Sequence, residues 1–187
     1  MGTKKVKGII KSCEDCFIAQ MVNSSCSRMT EDDKQLLWNH SELVHVKAGE
    51  GIDGHGAGVS VVISVCAGSV GVRHGLSDGR QAISSLYSPG DIIDLRDLPA
   101  EAHSKVVALT DAFLCVHDSA AFETLLQRNQ ALSAIHYRNT RDQLRRTEAR
   151  CLDLARKTPL ERAATFLMDR YGHSADQPDR PVTLHMF

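Results

Sequence analysis

Three cysteines in a polar stretch, Cys13-x2-Cys16-x9-Cys26, are the main chemical signal in the sequence. Thiolates are soft ligands that suit zinc and iron–sulfur clusters, and closely spaced thiols also suit thiol–disulfide exchange. The surrounding residues are too polar to form a core, so packing does not explain three cysteines here. A four-ligand site needs one more thiolate, and Cys66, Cys115 and Cys151 are the remaining cysteines. Each also reads as a small buried hydrophobe. That reading is strongest for Cys66, inside an apolar strand-like run, and for Cys151, on a helical seam. Spacing alone does not choose between zinc, an iron–sulfur cluster and a thiol switch.

Other chemistry is thinly represented. Gly49-x-Gly51-x-x-Gly54 matches a dinucleotide-binding fingerprint. That fingerprint requires a following helix to hold the pyrophosphate, and the next segment, Val59-Ser60-Val61-Val62-Ile63, reads as a strand. The glycines are therefore expected to form a turn. The nine histidines include no H-E-x-x-H and no paired helical spacing, and most are expected at the surface. His74, after Val72-Arg73, is kept as a weak haem-ligand candidate. No Ser/His/Asp order, phosphate loop or carboxylate pair stands out, so an enzyme is not expected.

These residues are carried by a chain whose character changes along its length. It has 187 residues, against roughly 150 for a typical domain. Lys and Arg number 22 and Asp and Glu 23, a net charge of −1, which argues against a strongly basic nucleic-acid coat. No apolar run approaches the ~18 residues of a membrane span, and the start has no signal-peptide core. The expected location is cytoplasmic, with reduced thiols.

Four segments are expected. Residues 1–29 form a cysteine-rich N-terminal segment. Residues 30–117 form a β-roll sensor domain. It opens with a short helix at Thr30-Glu31-Asp32-Asp33, where the Thr30 hydroxyl and the Asp33 carboxylate read as a capping box. Turn signals at Ser77-Asp78-Gly79, Pro89-Gly90-Asp91 and Thr110-Asp111 separate short strands in the manner of an antiparallel sandwich or roll. Residues 118–157 hold a short helix and a long one. In the long helix Tyr137, Thr140, Leu144, Thr147, Cys151 and Leu154 follow a 3,4,3,4,3 spacing, a seam suited to a weak two-stranded contact. Residues 158–187 open with Thr158-Pro159-Leu160-Glu161, a second capping box with Pro at the first helical position. Val182, Leu184 and Met186 then alternate as a strand that stops at Phe187, which reads as a truncation.

Together these features resemble the Crp–Fnr family of bacterial transcription regulators. Three stretches carry the resemblance: Gly79 to Ile93 with its Pro89-Gly90-Asp91 turn, Ala108-Leu109-Thr110-Asp111-Ala112-Phe113-Leu114-Cys115, and Lys157-Thr158-Pro159-Leu160-Glu161-Arg162-Ala163-Ala164-Thr165-Phe166-Leu167. The resemblance implies an α+β fold. Its parts are an antiparallel β-roll of the cyclic-nucleotide-binding, jelly-roll type, a long dimerisation helix around 130–157, and the first helix of a winged-helix domain cut before its helix-turn-helix. The Fnr-like, oxygen-sensing branch is the nearest. There a [4Fe–4S] cluster is held by three N-terminal cysteines and one in the strand that closes the roll. Carried over, the ligands are Cys13, Cys16, Cys26 and Cys115. The gap from Cys16 to Cys26 is longer than the family's usual one. The implied partners are a second copy of the chain and, for the intact regulator, promoter DNA and RNA polymerase, with no membrane. Zinc, a thiol switch or a haem gas sensor is the alternative. The cyclic-nucleotide branch fits poorly, because Ala102-His103 stand where its phosphate-binding Arg-Ser would fall.

Overall fold

The computed structural model describes residues 4–5, 29–53, 61–75, 78–98 and 104–171. The chain separates into two compact units, 1–139 and 140–187.

The first unit is built on two antiparallel sheets. One has strand order β1-β2-β9-β4-β7 and the other β3-β8-β5-β6. The strands are β1 Lys4–Lys5, β2 Ser41–Val46, β3 Gly51–Asp53, β4 Val61–Ala67, β5 Val70–Gly75, β6 Gln81–Tyr87, β7 Ile92–Asp94, β8 Lys105–Ala108 and β9 Ala112–Asp118. The facing sides bury Val46, Ile63, Val65, Val72, Val106 and Leu114 in one apolar layer. This is the expected α+β β-roll. Its stability comes mainly from removing that apolar surface from water.

The turns follow local chemistry. Gly79 (φ +85°) and Gly90 (φ +96°) occupy the left-handed region where the sequence places turns, a conformation that costs a side-chain-bearing residue ~1–2 kcal/mol. The run Val61-Val62-Ile63 is apolar without alternation because both its faces are buried: Ile63 faces the opposite sheet, while Val62 faces the helices. Of the dinucleotide fingerprint, Gly54 lies outside the described residues. The next described element after β3 is β4, a strand, where the fingerprint needs a helix.

A second apolar layer lies on the outer side of the five-stranded sheet. Met29, Leu37, Phe122, Leu125 and Leu132 pack there with Val62 and Ile92. These residues come from the α1 region and from the helices after the roll: α1 Glu31–Asn39, α2 Ser119–Arg128 and the first turns of α3 Gln130–Arg156. Thr30 caps α1, accepting from the Asp33 N–H at 3.2 Å. The Asp33 carboxylate does not close the expected box; it faces Asn129 and Arg128 instead.

In the second unit, α4 Pro159–Tyr171 starts at a reciprocal box. The Glu161 carboxylate accepts from the Thr158 N–H at 2.8 Å, and the Thr158 hydroxyl accepts from the Glu161 N–H at 3.4 Å. Those Thr158 groups hold the Glu161 carboxyl below its ordinary range. Leu160 is 81 % exposed and Met168 69 %. The expected strand at Val182, Leu184 and Met186 lies outside the described residues.

Candidate thiolate site

β9 positions Cys115. The strand is flanked on both sides, by β2 and β4, so its register is set by two hydrogen-bonded neighbours: Cys115 stands opposite Leu43 on one side and Ser64 on the other. Alternation sends Ala112 and Leu114 into the roll and turns Cys115 and His117 to the helix-bearing side. Cys115 is half-buried there.

Beside it is a polar network that no sequence motif marks. His117 is 1 % exposed, the one fully buried histidine among the described residues. Its Nδ1 lies 2.6 Å from the Ser41 Oγ, and its Nε2 lies 2.9 Å from the Ser64 Oγ. The Ser41 hydroxyl donates to the Leu37 carbonyl. Having spent its proton there, it must accept from Nδ1–H, which leaves Nε2 to accept from the Ser64 hydroxyl. The neutral imidazole is thus fully satisfied, and burial pushes its pKa down to about 4. Phe122 stacks on the ring at a centroid distance of 5.6 Å. The Cys115 Sγ lies 3.9 Å from the same Nδ1, so the ring presents its N–H to both Ser41 and the thiol.

The other two described cysteines sit elsewhere. Cys66 is buried on β4 and donates to the Ser64 carbonyl at 3.4 Å. Cys151 is exposed on α3. Cys13, Cys16 and Cys26 lie outside the described residues. Among the described residues no three His, Cys, Asp or Glu side chains gather as a metal site. Among the described residues Cys115 is thus a single soft donor with no second or third ligand gathered beside it.

His74 lies between two hydroxyls. Its Nδ1 is 2.8 Å from the Ser104 Oγ and its Nε2 2.6 Å from the Ser84 Oγ. Ligating haem iron would break one of these bonds. Near the central turn, Asp91 holds the Ser88 N–H at 2.8 Å, and Asp94 pairs with Arg96 at 2.6 Å. Burial raises the Asp94 pKa, but hydrogen bonds from Arg96 outweigh it and hold the carboxyl below its ordinary range. Arg96 also pairs with Glu123. This arginine is occupied by two carboxylates and is not offered to a phosphate.

The seam residues of α3 are open to solvent. Tyr137 is 69 % exposed, Leu144 58 % and Leu154 65 %, and Thr140, Thr147 and Cys151 are exposed as well. Among the described residues no helix is long and apolar enough to cross a membrane.

No family model matches this chain. A transcriptional activator, FnrL from Cereibacter sphaeroides, is 26 % identical over 167 residues, which is 89 % of this chain and 66 % of the relative. The chain thus spans just under two thirds of that relative's length. Among solved structures, FixK2 from Bradyrhizobium japonicum is similar, with 27 % identity, a TM-score of 0.60, and coverage of 71 % of this chain and 67 % of that one. A transcriptional regulator of the Crp/Fnr family from Eubacterium rectale has a TM-score of 0.63 at 13 % identity, covering 79 % of this chain and 70 % of its own.

Proposed function

Since this chain belongs to the Crp–Fnr family, we propose that it is the sensor part of a cytoplasmic transcription regulator that responds to oxygen or redox state through a [4Fe–4S] cluster. The intact regulator would act as a dimer on promoter DNA with RNA polymerase. Cys13, Cys16, Cys26 and Cys115 are the proposed ligands. The observation that carries this reading is the position of Cys115. It is the cysteine at the family-matching place in the closing strand, it is half-buried rather than enclosed in the roll core, and it faces the helix-bearing side of the sheet. Met29, three residues after Cys26 in the sequence, is buried in the apolar layer on that same side.

When bound, the cluster supplies iron–sulfide bonds that oxygen can attack. The chain's own residues do the rest. β9, held on both edges, fixes the Cys115 Cα. His117, neutral and locked by Ser41 and Ser64, directs an N–H toward the sulfur. Hydrogen bonds and burial around a ligating sulfur tune a cluster's potential.

The test is anaerobic reconstitution followed by iron and acid-labile sulfide analysis per chain, with an absorbance spectrum. A brown protein with both elements in cluster proportions is expected. A colourless protein with zinc or bare thiols, or a sharp Soret band, would overturn the reading.

A further inference from the structure

We infer that Asn129 is a positioning residue that couples the cysteine-bearing N-terminal segment to the start of α3 by way of α1. The inference rests on the cluster reading above and says how that site would be read out.

α1 is fastened at both ends to the parts that matter. At its first turn, Asp33 is 6 % exposed. A carboxylate so buried is costly unless hydrogen-bonded. Its Oδ2 accepts from the Asn129 Nδ2 at 2.9 Å, and the Arg128 guanidinium lies 3.6 Å from Oδ1. The same Asn129 side chain caps α3, its Oδ1 accepting from the Leu132 N–H at 2.9 Å. One amide therefore uses its donor on α1 and its acceptor on α3, and neither bond can shift without the other. At the far end of α1, the Leu37 carbonyl accepts from Ser41, which in turn is bonded to His117 beside Cys115.

Met29 closes the connection to the cysteines. It precedes α1 and is buried with Leu37, Phe122, Leu125 and Leu132. A cluster held by Cys26 and Cys115 would act on α1 through Met29, three residues after Cys26 in the sequence, and on β9 through Cys115. The Asp33–Asn129 bond joins α1 to the place where α3 begins. Arg128 alone cannot replace that bond, since an exposed partner at 3.6 Å gives little direction to a buried acid.

The experiment exploits the two halves of the amide. Asn129→Asp keeps a good cap for α3 but removes the donor to Asp33. Asp33→Asn combined with Asn129→Asp restores one donor and one acceptor with their roles exchanged. For each 187-residue chain, the dimerisation constant is measured by sedimentation with and without the reconstituted cluster, alongside iron, sulfide and helical content. In the parent chain the loaded-to-apo ratio should lie in the ~5–150-fold range usual for coupled sites. It should fall toward one in Asn129→Asp with cluster content unchanged, and recover in the exchanged pair. A parent-like ratio in Asn129→Asp overturns the inference. Should that single variant fail to fold, the exchanged pair decides alone: a folded, cluster-loaded pair with a ratio near one overturns it. A parent chain that binds no iron overturns the cluster reading and this inference together, whereas a normal cluster with Asn129-independent coupling overturns only this one.

Discussion

A cysteine is an ambiguous residue until its surroundings are known. Here three of the six are placed in the structure in three different environments. Cys115→Ser should abolish cluster assembly, because a hard, mostly protonated hydroxyl replaces a soft thiolate. Cys66→Ser and Cys151→Ser should leave it intact, and Cys13→Ser should behave like Cys115→Ser. Iron content and absorbance after reconstitution check all four, and normal reconstitution of Cys115→Ser would refute its assignment. His117 gives a second expectation, for the metal-free chain. Its pKa is depressed from 6.5 to about 4 in the fold, so between those values the unfolded chain holds a proton that the folded chain refuses. Stability is therefore complete above pH 6.5, falls as pH drops toward 4, and levels off below; the total loss is about 3 kcal/mol. Urea midpoints across this window should show the slope, and His117→Gln should flatten it. Nothing in the sequence sets His117 apart from the other eight histidines. Only its place on the outer side of a central strand, under Phe122 and between two serines, distinguishes it.

Among the elements, turns and caps are the most readable because their causes are local. Thr158 with Glu161, and the glycines at 79 and 90, need only their immediate neighbours. Gly68 carries no such local signal, and it is the more constrained. It lies at φ +80°, and a Cβ there would meet the Asp111 carbonyl oxygen at 2.4 Å and the Ala112 Cα at 2.8 Å, where the β4–β5 turn crosses the β8–β9 turn. Gly79 has a similar φ of +85° with nothing within 4 Å. Gly68→Ala should cost ~2–3 kcal/mol, combining strain with a backbone clash, against about 1 kcal/mol for Gly79→Ala. Thermal or urea melts separate them, and equal losses would contradict the argument. On α3, burying a Leu is worth ~1.5–3 kcal/mol, so Thr140→Leu with Thr147→Leu should strengthen a seam that otherwise offers only Leu144 and Leu154. That double variant should dimerise with or without the cluster, as sedimentation would show. A pair that remains monomeric without the cluster would argue against the seam as the contact.

For the molecule as a whole, the roll carries a cyclic-nucleotide-binding-like architecture whose described arginine beside the central turn is not free for a phosphate. Arg96, the arginine next to the central turn, is committed to Asp94 and Glu123. A phosphate lacking a bidentate arginine loses its strongest partner, so neither cAMP nor cGMP should bind; calorimetry giving a micromolar dissociation constant for either would overturn this. The α+β class, the order of strands then helices, and the turns at Gly79, Gly90 and Thr110-Asp111 all follow from the sequence, since hydrophobic periodicity and turn residues act over a few positions. So do the three N-terminal cysteines as a set, because their spacing is itself local. The identity of the fourth thiol comes from resemblance rather than spacing, and its environment comes only from the sheet. Strand pairing sets Ser41 opposite His117 and Ser64 opposite Cys115, from positions far apart in the chain. The burial of Asp33 against Asn129, 96 residues later, has the same origin. A carboxylate in a first helical turn looks like a cap from its neighbours alone. Whether it caps, or instead crosses to another helix, depends on which distant donor the packed layers place within reach.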